Sequence, residues 1–243
     1  MNAELLDKKE ERIRRMFDSI APWYDFLNHL LSLNVDASWR KKVTRLVPPT
    51  PGKPVLDLCT GTGDLAFAID RAAKQQCQIE ASDFSGDMLR VARQKGEKRG
   101  TTERITFTQA DAQQLPYESD RFDLVTCSFG LRNITDTNRG LAEMARVLAP
   151  GGRLAILEFS RPTGKLLGPT YRWYFRRVLP KIGNVLAKNK DSAYRYLPES
   201  VMTFPDGEDL AAMIRSHGLQ DVWFRTMTFG IATLYVGTKP NGN

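Results

Sequence analysis

The sequence predicts an α/β protein built on a doubly wound, mostly parallel sheet with N-terminal helices and a helical insertion. Three observations carry that prediction. Strand-like apolar runs alternate with helix-like segments five times between Pro54 and Phe159. The runs close in glycine, acidic or serine residues, as strands do when they end at a ligand crevice. The first of them, Pro54-Val55-Leu56-Asp57-Leu58, turns at Cys59-Thr60-Gly61-Thr62-Gly63-Asp64 and passes at once into a helix pattern.

A chain of 243 residues with 42% hydrophobic content can bury one large core, and its formal charge of +7 favours acidic partners such as a lipid surface or nucleic acid. Cys59, Cys77 and Cys127 are odd in number and far apart, which argues against a disulfide framework or a four-ligand zinc site and for a reducing compartment. His29 and His217 are the only histidines, so no catalytic metal is expected. Met1 to Asp18 is charged and lacks the apolar core of a secretory signal. No later stretch is apolar for long enough to cross a bilayer, so membrane attachment would be peripheral.

In chain order, Asp7–Asp18 has an apolar stripe of Ile13, Met16 and Phe17, the pattern of a helix capping the sheet. Ile20–Leu33 is rich in aromatic and leucine residues and reads as one helix or two short ones. Ser38–Val47 has helical spacing, and Pro48 to Gly52 ends it. After the first strand and its corner, Asp64–Lys74 is the first crossover helix. The second strand ends at Asp83, twenty residues beyond Gly63, where a carboxylate can accept hydrogen bonds from a ribose diol. Corner and carboxylate together point to an adenosine-containing ligand: a dinucleotide, S-adenosylmethionine or a related nucleoside. The corner lacks the third glycine of the dinucleotide fingerprint and the Gly-Lys-Ser/Thr ending of a phosphate loop.

Ser85 caps the next helix, and Arg104–Gln109 is the third strand. It leads to Asp111, which could accept a bond from an adenine amine or serve as a turn residue. Arg121–Cys127 is the fourth strand and empties into Ser128-Phe129-Gly130-Leu131-Arg132-Asn133-Ile134. Thr137–Leu148 is a helix, Ala149-Pro150-Gly151-Gly152 a stop, and Arg153–Phe159 the fifth strand. Gly164–Lys190 interleaves aromatic and basic residues, among them Arg172, Arg176 and Arg177, as in a helix that covers a pocket or lies against anionic lipid. Asp206–His217 is a further helix. Two final strands, Gln220–Met227 and Ile231–Gly237, would form an antiparallel edge pair.

Longer motifs are more specific than the corner. Met16-Phe17-Asp18-Ser19-Ile20-Ala21-Pro22-Trp23-Tyr24-Asp25, Phe26-Leu27-Asn28-His29-Leu30-Leu31-Ser32, Trp39, Phe129-Gly130-Leu131-Arg132-Asn133, Arg146 through Ser160, Tyr196-Leu197-Pro198-Glu199-Ser200 and Phe204-Pro205 resemble the quinone-biosynthesis C-methyltransferases that act on demethylmenaquinone and 2-polyprenyl-6-methoxy-1,4-benzoquinol precursors. The resemblance spans roughly Arg12 to Gly237 and implies a class I methyltransferase fold with S-adenosylmethionine as donor. It implies a helical cap over residues 1–50 and a methyltransferase domain over 51–243, with an insertion at about 164–200. Asp57, Gly61, Thr62, Gly63 and Asp64 would surround the methionine end, Asp83 would hold ribose, Asp111 and Ala112 would border adenine, and Ser128 would face the ligand from the next strand.

The sequence departs from the family pattern at Leu27 (commonly methionine), Asp36 and Tyr235 (histidine), Ala149 (lysine) and Phe229 (glycine).

Methylation of a ring carbon requires a reduced, electron-rich quinol. Arg132 and Asn133 are placed beside the acceptor oxygen, where a guanidinium and an amide would favour a developing phenolate; their alternative role is to fix the loop after the fourth strand. Tyr24 and Asp25 would close the pocket, with Asp25 or His29 as proton acceptor. Demethylmenaquinol is the favoured acceptor and the benzoquinol precursor the alternative. The expected setting is the cytoplasm, peripheral to the inner face of the cytoplasmic membrane, with no nucleic-acid partner and a homo-oligomer left open. The competing class is a noncatalytic basic protein of the same fold that binds membrane or nucleic acid.

Overall fold

Side chains alternate across a strand, so each central strand of this chain serves two cores at once. In the computed structural model, which describes residues 10–21, 35–161 and 193–242, Val125 and Leu154 face one apolar cluster while Leu124 and Ala155 face the other. Tyr24, Asp25, His29 and the basic segment with Arg172, Arg176 and Arg177 lie outside the described residues.

The strands are β1 (Val55–Leu58), β2 (Ile79–Asp83), β3 (Ile105–Gln109), β4 (Phe122–Ser128), β5 (Leu148–Phe159), β6 (Gln220–Met227) and β7 (Ala232–Thr238). They form one seven-stranded sheet in the order β3-β2-β1-β4-β5-β7-β6. The first five pair in parallel, and β7 lies antiparallel between β5 and the edge strand β6. Between them run α1 (Glu10–Ile20), α2 (Val35–Leu46), α3 (Asp64–Ala72), α4 (Gly86–Arg99), α5 (Thr137–Val147), α6 (Ala193–Thr203) and α7 (Glu208–Ser216). The doubly wound sheet and the antiparallel edge pair expected from the sequence are both present.

Local chemistry starts the helices where the sequence said it would. Ser85 Oγ accepts from Met88 N at 3.1 Å to cap α4, and Asp136 Oδ1 accepts from Arg139 N at 3.0 Å to cap α5. Gly100, with φ 64°, ends α4 in the left-handed conformation. On one face of the sheet, α5 and α7 bury Leu141, Met144, Leu210 and Ile214 against β4, β5 and β7. On the other, α3 packs with α2, whose Trp39, Val43 and Val47 join the sheet's own cluster.

The starts of β5 and of α2 lie ahead of those expected from the sequence. Residues 149–152 do end α5, but they are already strand: Leu148 pairs with Phe122, and Lys239 and Gly152 exchange a backbone bond of 2.9 Å. The residue pattern of a stop is therefore a bulged strand entry, with Gly151 at φ 74° taking the turn. The described part of α2 begins at Val35, three residues ahead of the expected Ser38, and its buried Asp36 pairs with Arg40 one turn on.

Candidate active site

The glycine corner is pinned from below and from the side. Beneath it, buried Asp57 accepts from Thr126 Oγ1 at 2.5 Å and Thr60 Oγ1 at 2.6 Å, and burial pushes its carboxyl up to about 6 against those two bonds. Beside it, Asp83 accepts from Gly61 N at 2.8 Å and Ser85 N at 2.9 Å. Burial raises the Asp83 carboxyl against those amides, and the nearby charge of Asp18 adds to the rise. One carboxylate thus closes the corner at the end of β2 and keeps lone pairs facing the cavity.

That cavity, about 100 Å³, opens at the carboxyl ends of β1, β2 and β4. Gly61, Asp83, Asp111, Ala112, Ser128 and Asn133 all line it, so six of the residues singled out from the sequence are brought together. Asp111 is held by Gln113 N at 2.8 Å in a side-chain turn. Ser128 Oγ and Asn133 Oδ1 are buried without a hydrogen-bond partner. Asn133 Nδ2 donates to Phe129 O at 3.2 Å.

Other expected residues stand behind this lining. Gly63, at φ 86°, begins α3 hard against the Phe67 ring, where a Cβ would come within 2.9 Å of Cε2. Thr62 Oγ1 accepts from Lys95 Nζ at 3.1 Å, and the same ammonium reaches Asp64 at 2.6 Å. Arg40 also donates to Asp64, at 3.2 Å, so Asp36, Arg40, Asp64 and Lys95 form a partly buried charge chain that ties α2 and α4 to the corner. Arg132 does not line this cavity. Its guanidinium donates to Glu158 Oε1 at 2.8 Å and to Phe129 O, and stacks 5.2 Å from the Phe159 ring centroid.

Sequence reasoning missed several wall residues. Ile13 and Phe17 of α1 line the cavity, and Ser85 Oγ donates to Asp18 Oδ1 at 2.5 Å, fastening that helix beside Asp83. Phe84 and Met88 supply apolar surface; their places just after an acidic strand end could have marked them. Gly130 is required by a contact no local pattern shows: a Cβ there would lie 2.2 Å from Cys59 Cβ. Cys59 itself has a thiol pushed well above the ordinary range, first by its hydrogen bond with Cys127 and then by burial. It lines the cavity as a neutral thiol packed against Gly130.

The lining fits an adenosine-bearing group. Asp83 offers acceptors for a diol, Asp111 an acceptor for an amine, Met88 and Ile134 apolar surface for a ring, and Ser128 an unsatisfied hydroxyl. Among the described residues no group of three metal-binding side chains occurs, and no helix is long and apolar enough to cross a membrane.

Comparison with known proteins gives consistent matches. The model of the ubiE/COQ5 methyltransferase family matches residues 5–239. A ubiquinone/menaquinone biosynthesis C-methyltransferase of Geobacter sulfurreducens is 46% identical over 96% of this chain and 91% of its own. A demethylmenaquinone methyltransferase of Deinococcus radiodurans is 47% identical over 95% and 94%. Among solved structures, the [4+2]-cyclase SpnF superposes with a TM-score of 0.70 at 17% identity, over 95% of this chain and 96% of that one. At that identity the likeness concerns the fold alone.

Proposed function

We infer that this chain, which belongs to the ubiE/COQ5 methyltransferase family, transfers a methyl group from S-adenosylmethionine to a ring carbon of a reduced polyprenyl quinone precursor, demethylmenaquinol above all. Its fold is the class I methyltransferase fold, and family membership sets aside the noncatalytic alternative. The relatives' names support quinone methylation, and the Deinococcus protein's name supports the naphthoquinol acceptor. The single observation that carries the site is the convergence of Asp83, Asp111 and Ser128 on one cavity at the carboxyl ends of three sheet-forming segments.

The donor, when bound, supplies a methyl group on a positively charged sulfonium. Asp83 would hold its ribose hydroxyls, Asp111 and Ala112 its adenine, and the Gly61 corner its amino-acid end. These groups need little rearrangement, since chain amides already hold both carboxylates. Asp57, Thr62, Gly63 and Asp64 act from behind, fixing the corner.

On the acceptor, loss of a hydroxyl proton would send electron density to the adjacent ring carbon, which forms the new carbon–carbon bond; that carbon then loses its hydrogen as a proton and the ring regains aromaticity. Asn133 faces this reaction from the cavity wall. Arg132, its charge paired with Glu158, supports it from the neighbouring residue as a hydrogen-bond donor. Tyr24 and Asp25 retain their proposed place in closing the pocket and accepting the proton.

The lipophilic acceptor also motivates peripheral attachment to anionic membrane, through the net charge of +7 and the basic residues Arg172, Arg176 and Arg177. Replacing all three by glutamine should lower partitioning to anionic vesicles and turnover of a long-tailed acceptor in them, with a short-tailed analogue little affected. The primary test is transfer of labelled methyl to demethylmenaquinol and, separately, to the reduced benzoquinol precursor. Product with the first and none with the second is expected; no product with either would remove the assignment.

A further inference from the structure

We propose that a second cavity, reached from the residue next to Asn133, binds the hydroxyl end of the acceptor ring, and that Tyr196 is an acceptor-binding residue there beside Arg132. This deepens the quinol-methylation reading and rests on it. The cavity measures about 200 Å³, room for more than one water, and its walls include Arg132, Thr137, Tyr196, Ser200, Phe204 and Met213.

Two buried side chains on this cavity carry polar atoms with no partner among the described residues. Arg132 is 6% exposed and Tyr196 4%, and neither Arg132 Nε nor Tyr196 Oη has a hydrogen bond to any described residue. Native structures rarely leave such groups unpaired, and here two of them border the same space. Arg132 Nη1 donates to Glu158 and to Phe129 O, which fixes the plane of the guanidinium and with it the direction of Nε–H. Burial raises the Tyr196 phenol against the pull of the Arg132 charge, so the hydroxyl keeps its proton and can donate.

A pair of donors, one of them cationic, suits an oxygen that carries or develops negative charge. Phe204 and Met213 complete the cavity with apolar surface, which suits a ring more than an inorganic anion. The combination describes a phenol or phenolate. The position is also right for an acceptor. Tyr196 packs with Ile13 and Met16 of α1, and Ile13 lines the cofactor cavity, while Asn133 and Arg132 are consecutive residues of one turn facing one cavity each. Tyr196 is thus one packing contact from the donor cavity's wall at Ile13, and Arg132 one residue from it at Asn133.

The test compares two tailless probes, a reduced water-soluble 1,4-naphthoquinol and its dimethyl ether, binding to the full chain saturated with S-adenosylhomocysteine. Wild-type protein should favour the free hydroxyl probe. Tyr196→Phe should cut that preference about tenfold, the effect of one hydrogen bond, while affinity for S-adenosylmethionine and the melting midpoint stay put. Met213→Trp, which adds bulk to the cavity's lining, should abolish binding of both probes and spare the donor. Wild-type protein that methylates the quinol yet shows the same hydroxyl-to-ether ratio after Tyr196→Phe, or unchanged probe binding after Met213→Trp, overturns the cavity assignment alone. Wild-type protein that transfers no methyl to a reduced acceptor overturns the reading beneath it.

Discussion

The two cavities differ in how their carboxylates are held. On the donor side, Asp83 and Asp111 are each bound by backbone amides two residues on, and Asp83 by Gly61 as well. On the acceptor side, Arg132 and Glu158 satisfy one another across the ends of two strands, and among the described residues Arg132 Nε and Tyr196 Oη have no partner, as Ser128 Oγ and Asn133 Oδ1 have none in the donor cavity. The first arrangement is assembled mostly from neighbours in sequence and is set before any ligand arrives. The second is assembled from segments 26 or more residues apart and keeps hydrogen-bonding capacity in hand for something else.

The comparison can be broken at its most expensive point, the Arg132–Glu158 pair. Arg132→Leu leaves a carboxylate 1% exposed with no counter-charge, and should cost about 3–5 kcal/mol of stability in urea denaturation. The double variant with Glu158→Leu should recover much of that loss. A single variant as stable as wild type would show that the pair does not hold the acceptor wall.

A somewhat smaller effect lies under the donor corner and has a pH sign. The folded-state carboxyl of Asp57 sits near 6, above its ordinary 3.8, so the folded chain holds the proton more tightly than the unfolded one. Asp57 therefore costs nothing below the unfolded value and costs progressively more as pH rises through 6, on the order of 3 kcal/mol when fully ionised. Asp57→Asn should gain stability relative to wild type between pH 4.5 and 7, read from urea midpoints at both. Parallel pH profiles for the two proteins would mean that Asp57 is not the group being desolvated.

The smallest effect sharpens the contrast directly. Asp83→Ala should weaken S-adenosylmethionine binding by about 1–3 kcal/mol in calorimetry, because the lost carboxylate both holds the diol and ties down Gly61. Arg132→Lys, measured under conditions where it is folded, should leave that affinity unchanged. Equal losses in both variants would mean that the two sides are one coupled site.

Much of the fold was legible because its signals are local. Apolar runs, Ser85 as a cap, and the Gly61–Gly63 turn follow from backbone sterics and hydrogen bonding within a few residues. The same holds for Asp83, whose distance from the corner is fixed by one βαβ unit. The family motifs pointed to the chemistry, though the family's usual glycine at 229 is here a phenylalanine, 74% exposed with φ 57°, and its usual histidine at 235 a buried tyrosine that accepts from Gly207 N at 2.7 Å.

Position 132 shows the limit. Sequence placed an arginine at the end of the fourth strand and left two roles open, acceptor contact or loop support. Which atoms are committed to Glu158 and which remain free depends on how β5 packs beside β4 and how α6 closes over the turn. The same is true of Gly130 against Cys59 and of Asp64, drawn away from the cavity by Arg40 and Lys95. By itself, then, the sequence determined the elements, the corner and the residues able to hold an adenosine, since these rest on short-range geometry. Only the tertiary structure decided which side chains share a cavity and which neutralise each other, because burial and charge pairing join residues that are distant along the chain.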